Sequence, residues 1–202
     1  TSSRALGDAI ADRVKVLEEV AGRNVIVRHG EVTPTMGEID ATVIVAILAG
    51  LLFVLFISLQ YGPVAHTLRL GALRVWVLMG TSLAVGLLLA KWISAPAGAV
   101  IGVLSLVVLA SALFTTAVAS VFGWAGEAIA AVCLFLMALP LITLLDAELL
   151  AWPLSLLHPH GIAGAGATGI TAAIHHQDGL PRSVLVLLGW ILASVSTNLI
   201  AR

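Results

Sequence analysis

Four histidines and an aspartate in the last third of the sequence are of the types that bind metal ions. They occur as His-Pro-His and His-His pairs followed by the acid, at His158, His160, His175, His176 and Asp178. Imidazole and carboxylate groups suit zinc or iron, but these spacings do not place two ligands one helical turn apart, and no HExxH motif occurs. We therefore predict no metal site. We interpret the histidines as the polar ends of a segment at the membrane surface, where amphipathic rings are stable.

Other ionisable residues border apolar stretches, at Lys91, Glu127, Asp146 and Glu148. An ionisable group inside a bilayer is a functional candidate, because its burial is costly unless it is paired. All four lie at the ends of apolar stretches, so we expect them to reach water. The sequence has no Walker motif, nucleotide-binding loop or nucleophile elbow. We predict no catalytic residue, no cofactor and no enzymatic activity.

The composition indicates what kind of elements carry these residues. The chain has 202 residues, of which 60% are hydrophobic and 10% charged, and its mean hydropathy is +1.10. Soluble domains contain about 25% charged residues, so this composition favours a lipid environment. The formal net charge of -1 gives no basic surface for nucleic acid, which we exclude as a partner.

Five apolar stretches are long enough to cross a hydrocarbon core of about 30 Å at about 1.5 Å per residue. The sequence predicts an all-α membrane protein whose transmembrane domain covers residues 40–202. We expect Gly98 and Gly102, a G-x-x-x-G pair, to pack helices within the chain rather than to form a dimer seam. Pro140 falls inside the fourth span. The predicted spans are residues 41–59, 75–92, 97–122, 128–145 and 183–200.

A long but apolar loop, residues 146–182, precedes the last span. Its first half is rich in leucine, and its second half contains Gly161, Gly164, Gly166 and Gly169. Such a loop is typical of a re-entrant or interfacial helical hairpin, which enters a membrane only where protein buries its backbone ends. We expect the small residues to let this hairpin lie tightly against a neighbouring span.

Residues 1–39 hold more than half of the charged residues and have the pattern of a soluble segment. Apolar residues recur at helical spacing in residues 6–17, and residues 24–32 alternate as a short strand does. One helix and one strand cannot form a core. We interpret this short α/β segment as the end of a larger extracytoplasmic domain or as a cap on a partner.

The positive-inside rule predicts the orientation. The loop between the first two spans carries His66, Arg69 and Arg74, so we place this loop in the cytoplasm. Residues 1–39 and 146–182 then lie outside, and the C-terminus lies inside. We predict a multi-pass protein of the cell inner (plasma) membrane with its N-terminal segment outside.

The order of these parts resembles the membrane domains of type-two ABC exporters, and most closely their phage-infection-protein-like branch. Members of that branch have one span, a large extracytoplasmic domain and then five further spans. The resemblance covers nearly all of this chain, which is similar to the C-terminal five-span part of those membrane domains. The end of that domain is similar to Val25-Ile26-Val27-Arg28 and Pro34-Thr35-Met36-Gly37. The re-entrant hairpin of the family is similar to Leu157 to Gly169, and the family's closing pattern is similar to Asp178-Gly179 and Leu185 to Trp190.

The resemblance implies a permease subunit that moves a lipid or other amphiphile and works with a separate ATPase subunit, as a homodimer or within a larger membrane complex. An amphipathic coupling helix in residues 62–74 would present His66, Arg69 and Arg74 to that ATPase. Two alternatives stay open. One is a non-catalytic accessory subunit of a larger membrane-embedded complex, favoured by the lack of polar groups in mid-span. The other is a membrane metalloenzyme that uses the histidines.

Overall fold

The computed structural model describes residues 34–62, 68–94, 98–143, 159–175 and 178–201, and the structural statements below concern these residues. They form helices without a strand. The predicted α/β segment therefore lies almost entirely outside the described residues. The helices are α1 (Met36–Tyr61), α2 (Leu68–Trp92), α3 (Gly98–Phe122), α4 (Trp124–Thr143), α5 (Ile162–His175) and α6 (Leu180–Ile200).

Five of these helices are long and apolar enough to span a membrane, which confirms the predicted all-helical membrane fold. They are α1, residues Gly71–Trp92 of α2, α3, residues Trp124–Leu141 of α4, and α6. The remaining helix, α5, has 14 residues. It is therefore about 21 Å long, too short to cross a hydrocarbon core of about 30 Å.

A capping box fixes the start of α1. The Glu38 carboxylate accepts a hydrogen bond from the Thr35 backbone N–H at 2.7 Å, and the Thr35 hydroxyl accepts one from the Glu38 N–H at 3.3 Å. These bonds satisfy amide groups that a helix leaves without partners at its N-terminus. The helix therefore begins at Met36, before the predicted start of the span at residue 41.

The centre of the fold is α3, which packs against all five other described helices. Its sequence contains no charged residue, and its buried side chains are mostly small or β-branched. Such side chains let several helices approach one helix closely. The core around α3 includes Val103, Leu104, Val107, Ala110 and Leu113.

A single residue, Gly123, joins α3 to α4. Its φ of +62° lies in the left-handed region, and its N–H donates to the Ala119 carbonyl at 2.8 Å, which ends α3. The close approach continues at Gly126, where a Cβ atom would lie 2.7 Å from the Ala119 Cα. The first turn of α4 therefore rests directly on the last turns of α3.

The prediction for the G-x-x-x-G pair is wrong. A Cβ atom at Gly98 or Gly102 would meet no atom within 4 Å, so neither glycine is needed for packing within the chain. The close contact between α2 and α3 occurs instead at Gly86, where a Cβ atom would lie 2.9 Å from the Ser105 backbone nitrogen.

Candidate functional site

The short helix α5 is buried among the spans. It packs against α1, α3, α4 and α6, and almost all its residues from Ile162 to Ala173 are buried. A Cβ atom at Gly166 would lie 2.8 Å from Val107 Cγ2 and 3.2 Å from Val43 Cγ1. The predicted tight docking of the glycine-rich half of the loop is thus confirmed at this residue, whereas the leucine-rich half lies outside the described residues.

The N-terminal end of α5 reaches the middle of the bundle. There the Trp190 indole N–H donates to the His160 carbonyl at 2.7 Å. Trp190 lies about 15 Å along α6 from Leu180 at about 1.5 Å per residue, which is about half of a hydrocarbon core. At the other end of α5, the Thr171 hydroxyl lies 3.8 Å from the sulfur of Met36, the first residue of α1. The helix therefore runs from the middle of the bundle to the end at which α1 begins.

One side-chain contact joins α5 to α6, and a second joins α6 to α3. The Thr168 and Ser183 hydroxyl oxygens lie 3.0 Å apart and join α5 to α6. The Phe114 and Trp190 rings meet edge to face, with centroids 5.5 Å apart and an interplanar angle of 88°. Since Trp190 also holds the His160 carbonyl, the tip of α5 is tied through α6 to the central helix α3.

A lateral groove lies between α1 and α2, with a volume of about 350 Å³. Several of its side chains are exposed on the outside of the bundle, so the groove opens where lipid surrounds a membrane protein. Its wall is apolar apart from one arginine and the hydroxyl of one tyrosine, both at the end of the groove where α1 terminates. The lining residues are Phe53, Phe56, Ile57, Tyr61, Leu73, Arg74 and Val77.

Arg74, the charged residue of the lateral groove, is only 8% exposed. Its Nη2 donates to the Gly62 carbonyl at 2.9 Å and to the Tyr61 carbonyl at 3.4 Å. A helix leaves its last carbonyl groups without partners inside the helix, and a positive charge is favourable there. Arg74 therefore fastens α2 to the C-terminal end of α1.

The predicted coupling residues are only partly within the described structure. His66 lies outside it, and Arg69 lies in the first turn of α2 with a side chain that is not described. Arg74 is described and buried. Whether the three residues form one surface stays a prediction.

The structure describes two of the four ionisable residues at the span ends, and these two differ in burial. Lys91 is exposed, as expected, and Asp146 and Glu148 lie outside the described residues. Glu127 is only 3% exposed, and its Oε1 has no hydrogen-bond partner, so the expectation that it reaches water is wrong. The predicted fourth span starts at residue 128, after Glu127. The one-residue turn at Gly123 instead starts α4 at Trp124 and places Glu127 in its packed first turn.

The histidines of the predicted loop do not converge within the described residues. His160 lies just before α5 and His175 is its last residue, so the helix length of about 21 Å separates them. Asp178 is exposed, and His158 and His176 lie outside the described residues. Across the described ranges, no group of three or more histidine, cysteine, aspartate or glutamate residues is placed to hold a metal ion.

No protein-family model, no curated protein and no solved structure matches this chain.

Proposed function

We propose that this chain is a permease subunit of an ABC-type exporter that moves a lipid or other amphiphile across the cell inner membrane. The observation that carries the proposal is the lateral groove between α1 and α2. Its aromatic and aliphatic wall matches an acyl chain or another apolar body. The tyrosine hydroxyl and Arg74 lie at one end of the groove, where a polar headgroup would remain near the membrane surface.

The distribution of charge supports an amphiphilic substrate over a polar one. The charged residues of the described spans lie near helix ends, at Glu38, Asp40, Arg69, Arg74, Lys91, Glu127 and Arg182. A small ion or polar solute needs polar groups along its path through the hydrocarbon core. An amphiphile that moves along the side of the bundle keeps its apolar part in lipid and does not need such a path.

The energy source in this proposal is a separate ATPase subunit. With the α1–α2 connection in the cytoplasm, His66, Arg69 and Arg74 lie on the side where an ATPase would bind. The buried re-entrant helix α5 then lies on the extracytoplasmic side, in keeping with the family that the order of parts resembles. A homodimer would supply two lateral grooves and two positions for binding an ATPase subunit.

A non-catalytic accessory subunit is the second candidate, and the exposed apolar faces of α2 and α6 favour it. These faces present large side chains over much of each helix, including Trp76, Leu83, Leu88, Leu185 and Leu192. They are suited to contact with the spans of another membrane protein as well as with lipid. In that role the chain would have no transport activity of its own.

The deciding experiment starts with the tagged full-length protein, recovered from native membranes in mild detergent and analysed with its partners by mass spectrometry. The exporter proposal predicts an ATPase in the complex and ATP-dependent movement of a fluorescent lipid after reconstitution into vesicles. A large unrelated membrane complex at fixed stoichiometry, without an ATPase, would contradict it and support the accessory role.

A matched pair of variants tests the lateral groove itself. Val77→Trp fills the groove with an indole ring and is expected to slow lipid movement. Val132→Trp adds the same ring to an exposed position of α4 outside the groove lining and is expected to leave the rate unchanged. Equal rates in the two variants would show that the groove is not the transport path.

A further inference from the structure

The lateral groove between α1 and α2 lies within one half of the membrane. On α1 its lining runs from Phe53 to Tyr61, a distance of about 12 Å at about 1.5 Å per residue. Because α1 has 26 residues, these positions all lie beyond its midpoint. On α2 the lining runs from Leu73 to Val77, in the first half of that helix. Half of a hydrocarbon core is about 15 Å thick, so the groove matches the depth of a single leaflet.

The apolar part of the groove is suited to an acyl chain. Phe53, Phe56 and Ile57 form its wall on α1, and Leu73 and Val77 form its wall on α2. Phe56 is 59% exposed and Leu73 is 63% exposed, so the groove opens sideways to the surrounding lipid. A lipid of that leaflet can therefore place one chain in the groove without leaving the bilayer.

The polar end of the groove carries a positive charge. Arg74 lines this end, and its guanidinium group stays charged at any physiological pH. None of the described residues that line the groove is acidic. Of the two helices that form it, α2 contains no acidic residue, and the acids of α1 are Glu38 and Asp40, at its opposite end. The charge of the groove therefore complements an anion.

The guanidinium group of Arg74 is held in a fixed position. Its Nη2 donates to the carbonyl groups of Gly62 and Tyr61, which are neutral and orient the guanidinium group without removing its charge. Only 8% of Arg74 is exposed. A charge that is largely removed from water attracts an opposite charge more strongly than a hydrated one does.

We propose that the lateral groove binds an anionic phospholipid of the leaflet that faces the α1–α2 connection, which the positive-inside rule makes the cytoplasmic leaflet. One acyl chain lies between α1 and α2, and the headgroup phosphate accepts charge-assisted hydrogen bonds from Arg74. A zwitterionic lipid binds less tightly, because the lining offers no acidic side chain to its positive group. As a statement about the exported substrate this inference rests on the proposed function, whereas binding itself does not require transport.

Photocrosslinking of the full chain in lipid nanodiscs tests the site without any variant. The probe is phosphatidylglycerol with a diazirine in one acyl chain, and peptide mass spectrometry locates its adducts. We expect adducts on residues 53–61 and 73–77, with a yield about tenfold higher in discs of phosphatidylcholine than in discs of phosphatidylglycerol with the same chains, as one charge-assisted hydrogen bond would give. Equal yields in the two kinds of disc, or adducts spread evenly over the exposed faces of α4 and α6, would overturn the proposal.

Two matched pairs of variants separate charge from shape. Arg74→Gln removes the charge and should bring the ratio of the two yields close to one, whereas Arg182→Gln, in the first turn of α6, should leave it unchanged. Because Arg74 also fastens α2 to α1, the second pair keeps this residue. Val77→Trp fills the groove and should lower the yield in both kinds of disc, whereas Val132→Trp should not. Native labelling in a folded Arg74→Gln or in Val77→Trp would contradict the proposal.

Soluble glycerol phosphate distinguishes a lipid site from a site for free phosphate. It carries the phosphate group without the acyl chains and should leave the labelling unchanged. If it lowered the yield as strongly as phosphatidylglycerol does, Arg74 would bind free phosphate, and the proposed lipid site would be wrong.

The result is independent of the transport assay. Selective labelling of the groove in a chain without ATP-dependent lipid movement would support the anionic-lipid site and contradict the exporter role. Equal ATP-dependent movement of phosphatidylglycerol and phosphatidylcholine, with equal labelling in the two kinds of disc, would support the exporter role and overturn the inference about the headgroup.

Discussion

Most hydroxyl groups of the spans form hydrogen bonds within their own helix. The side chains of Thr81, Ser105, Thr115, Thr116 and Thr197 donate to backbone carbonyl groups one turn earlier, which satisfies them without a partner on another helix. Arg74 and Trp190 differ, because each donates to the backbone of another segment. These two residues therefore hold parts of the fold together.

Replacement of Arg74 is expected to destabilise the bundle. Arg74→Ala removes the charged donor at the end of α1 and leaves the Gly62 carbonyl without it, a loss of about 1.5–3 kcal/mol for a charged hydrogen bond. Arg74→Lys keeps the charge but not the planar guanidinium and should recover part of the loss. Thermal unfolding in mild detergent measures both. An unfolding temperature of Arg74→Ala equal to that of the native chain would contradict this role.

Trp190→Phe isolates the bond that holds the tip of α5. The phenyl ring can keep the edge-to-face contact with Phe114, whereas the indole donor to the His160 carbonyl is lost. A typical hydrogen bond contributes about 0.5–1.5 kcal/mol of net stability, so we expect a lower unfolding temperature. Trp76→Phe is the control, because Trp76 is 71% exposed. Equal effects of the two changes would show that the hydrogen bond contributes nothing specific.

At the scale of helices, the sequence predicts the number and rough extent of the spans, because length and hydropathy alone decide them. It does not predict which glycines face a neighbour. Gly98 and Gly102 have the expected spacing yet lie open, whereas Gly166 and Gly169 are packed against Val107 and Val103. The orientation of a helix about its own axis depends on contacts between distant parts of the chain, and local spacing carries no information about them.

A pair of glycine-to-alanine changes tests the docking of α5. Both Gly166 and Gly189 lie inside helices, where alanine is favoured over glycine by about 0.5–1 kcal/mol. Gly189→Ala meets no atom within 4 Å and should raise the unfolding temperature slightly. Gly166→Ala should lower it, because its Cβ would lie 2.8 Å from Val107 Cγ2. A higher unfolding temperature for Gly166→Ala would show that α5 is not tightly docked.

At the scale of the whole molecule, the candidate sites were harder to predict than the fold. The residue types of the lateral groove are those of any apolar span, so nothing in the sequence distinguishes Phe53 or Val77 from other lipid-facing residues. The sequence marks Glu127 as a candidate, but its place at the end of an apolar stretch predicts that it reaches water. Its burial follows from the one-residue turn at Gly123. The glycine at this position is the only sign of that turn in the sequence, because glycine favours the left-handed conformation that the turn requires.

The number of crossings sets the positions of the two ends of the described bundle. If the five long helices cross and α5 extends only from the middle of the bundle to the Met36 end, Met36 and Ile200 should lie on opposite sides of the membrane. If α5 crossed as well, they would lie on the same side. We further expect the Met36 end outside the cell, because the α1–α2 connection carries Arg69 and Arg74.

Single cysteines report these positions directly. Cys133→Ser removes the native thiol, and Gly37→Cys or Ala201→Cys then places one thiol at an exposed site near either end. A membrane-impermeant maleimide should label Gly37→Cys in intact cells and Ala201→Cys only after permeabilisation, which also serves as the control for reactivity. Labelling of both in intact cells would refute five crossings. The reverse pattern would keep five crossings but place Arg69 and Arg74 outside the cell, where no cytoplasmic ATPase can bind them.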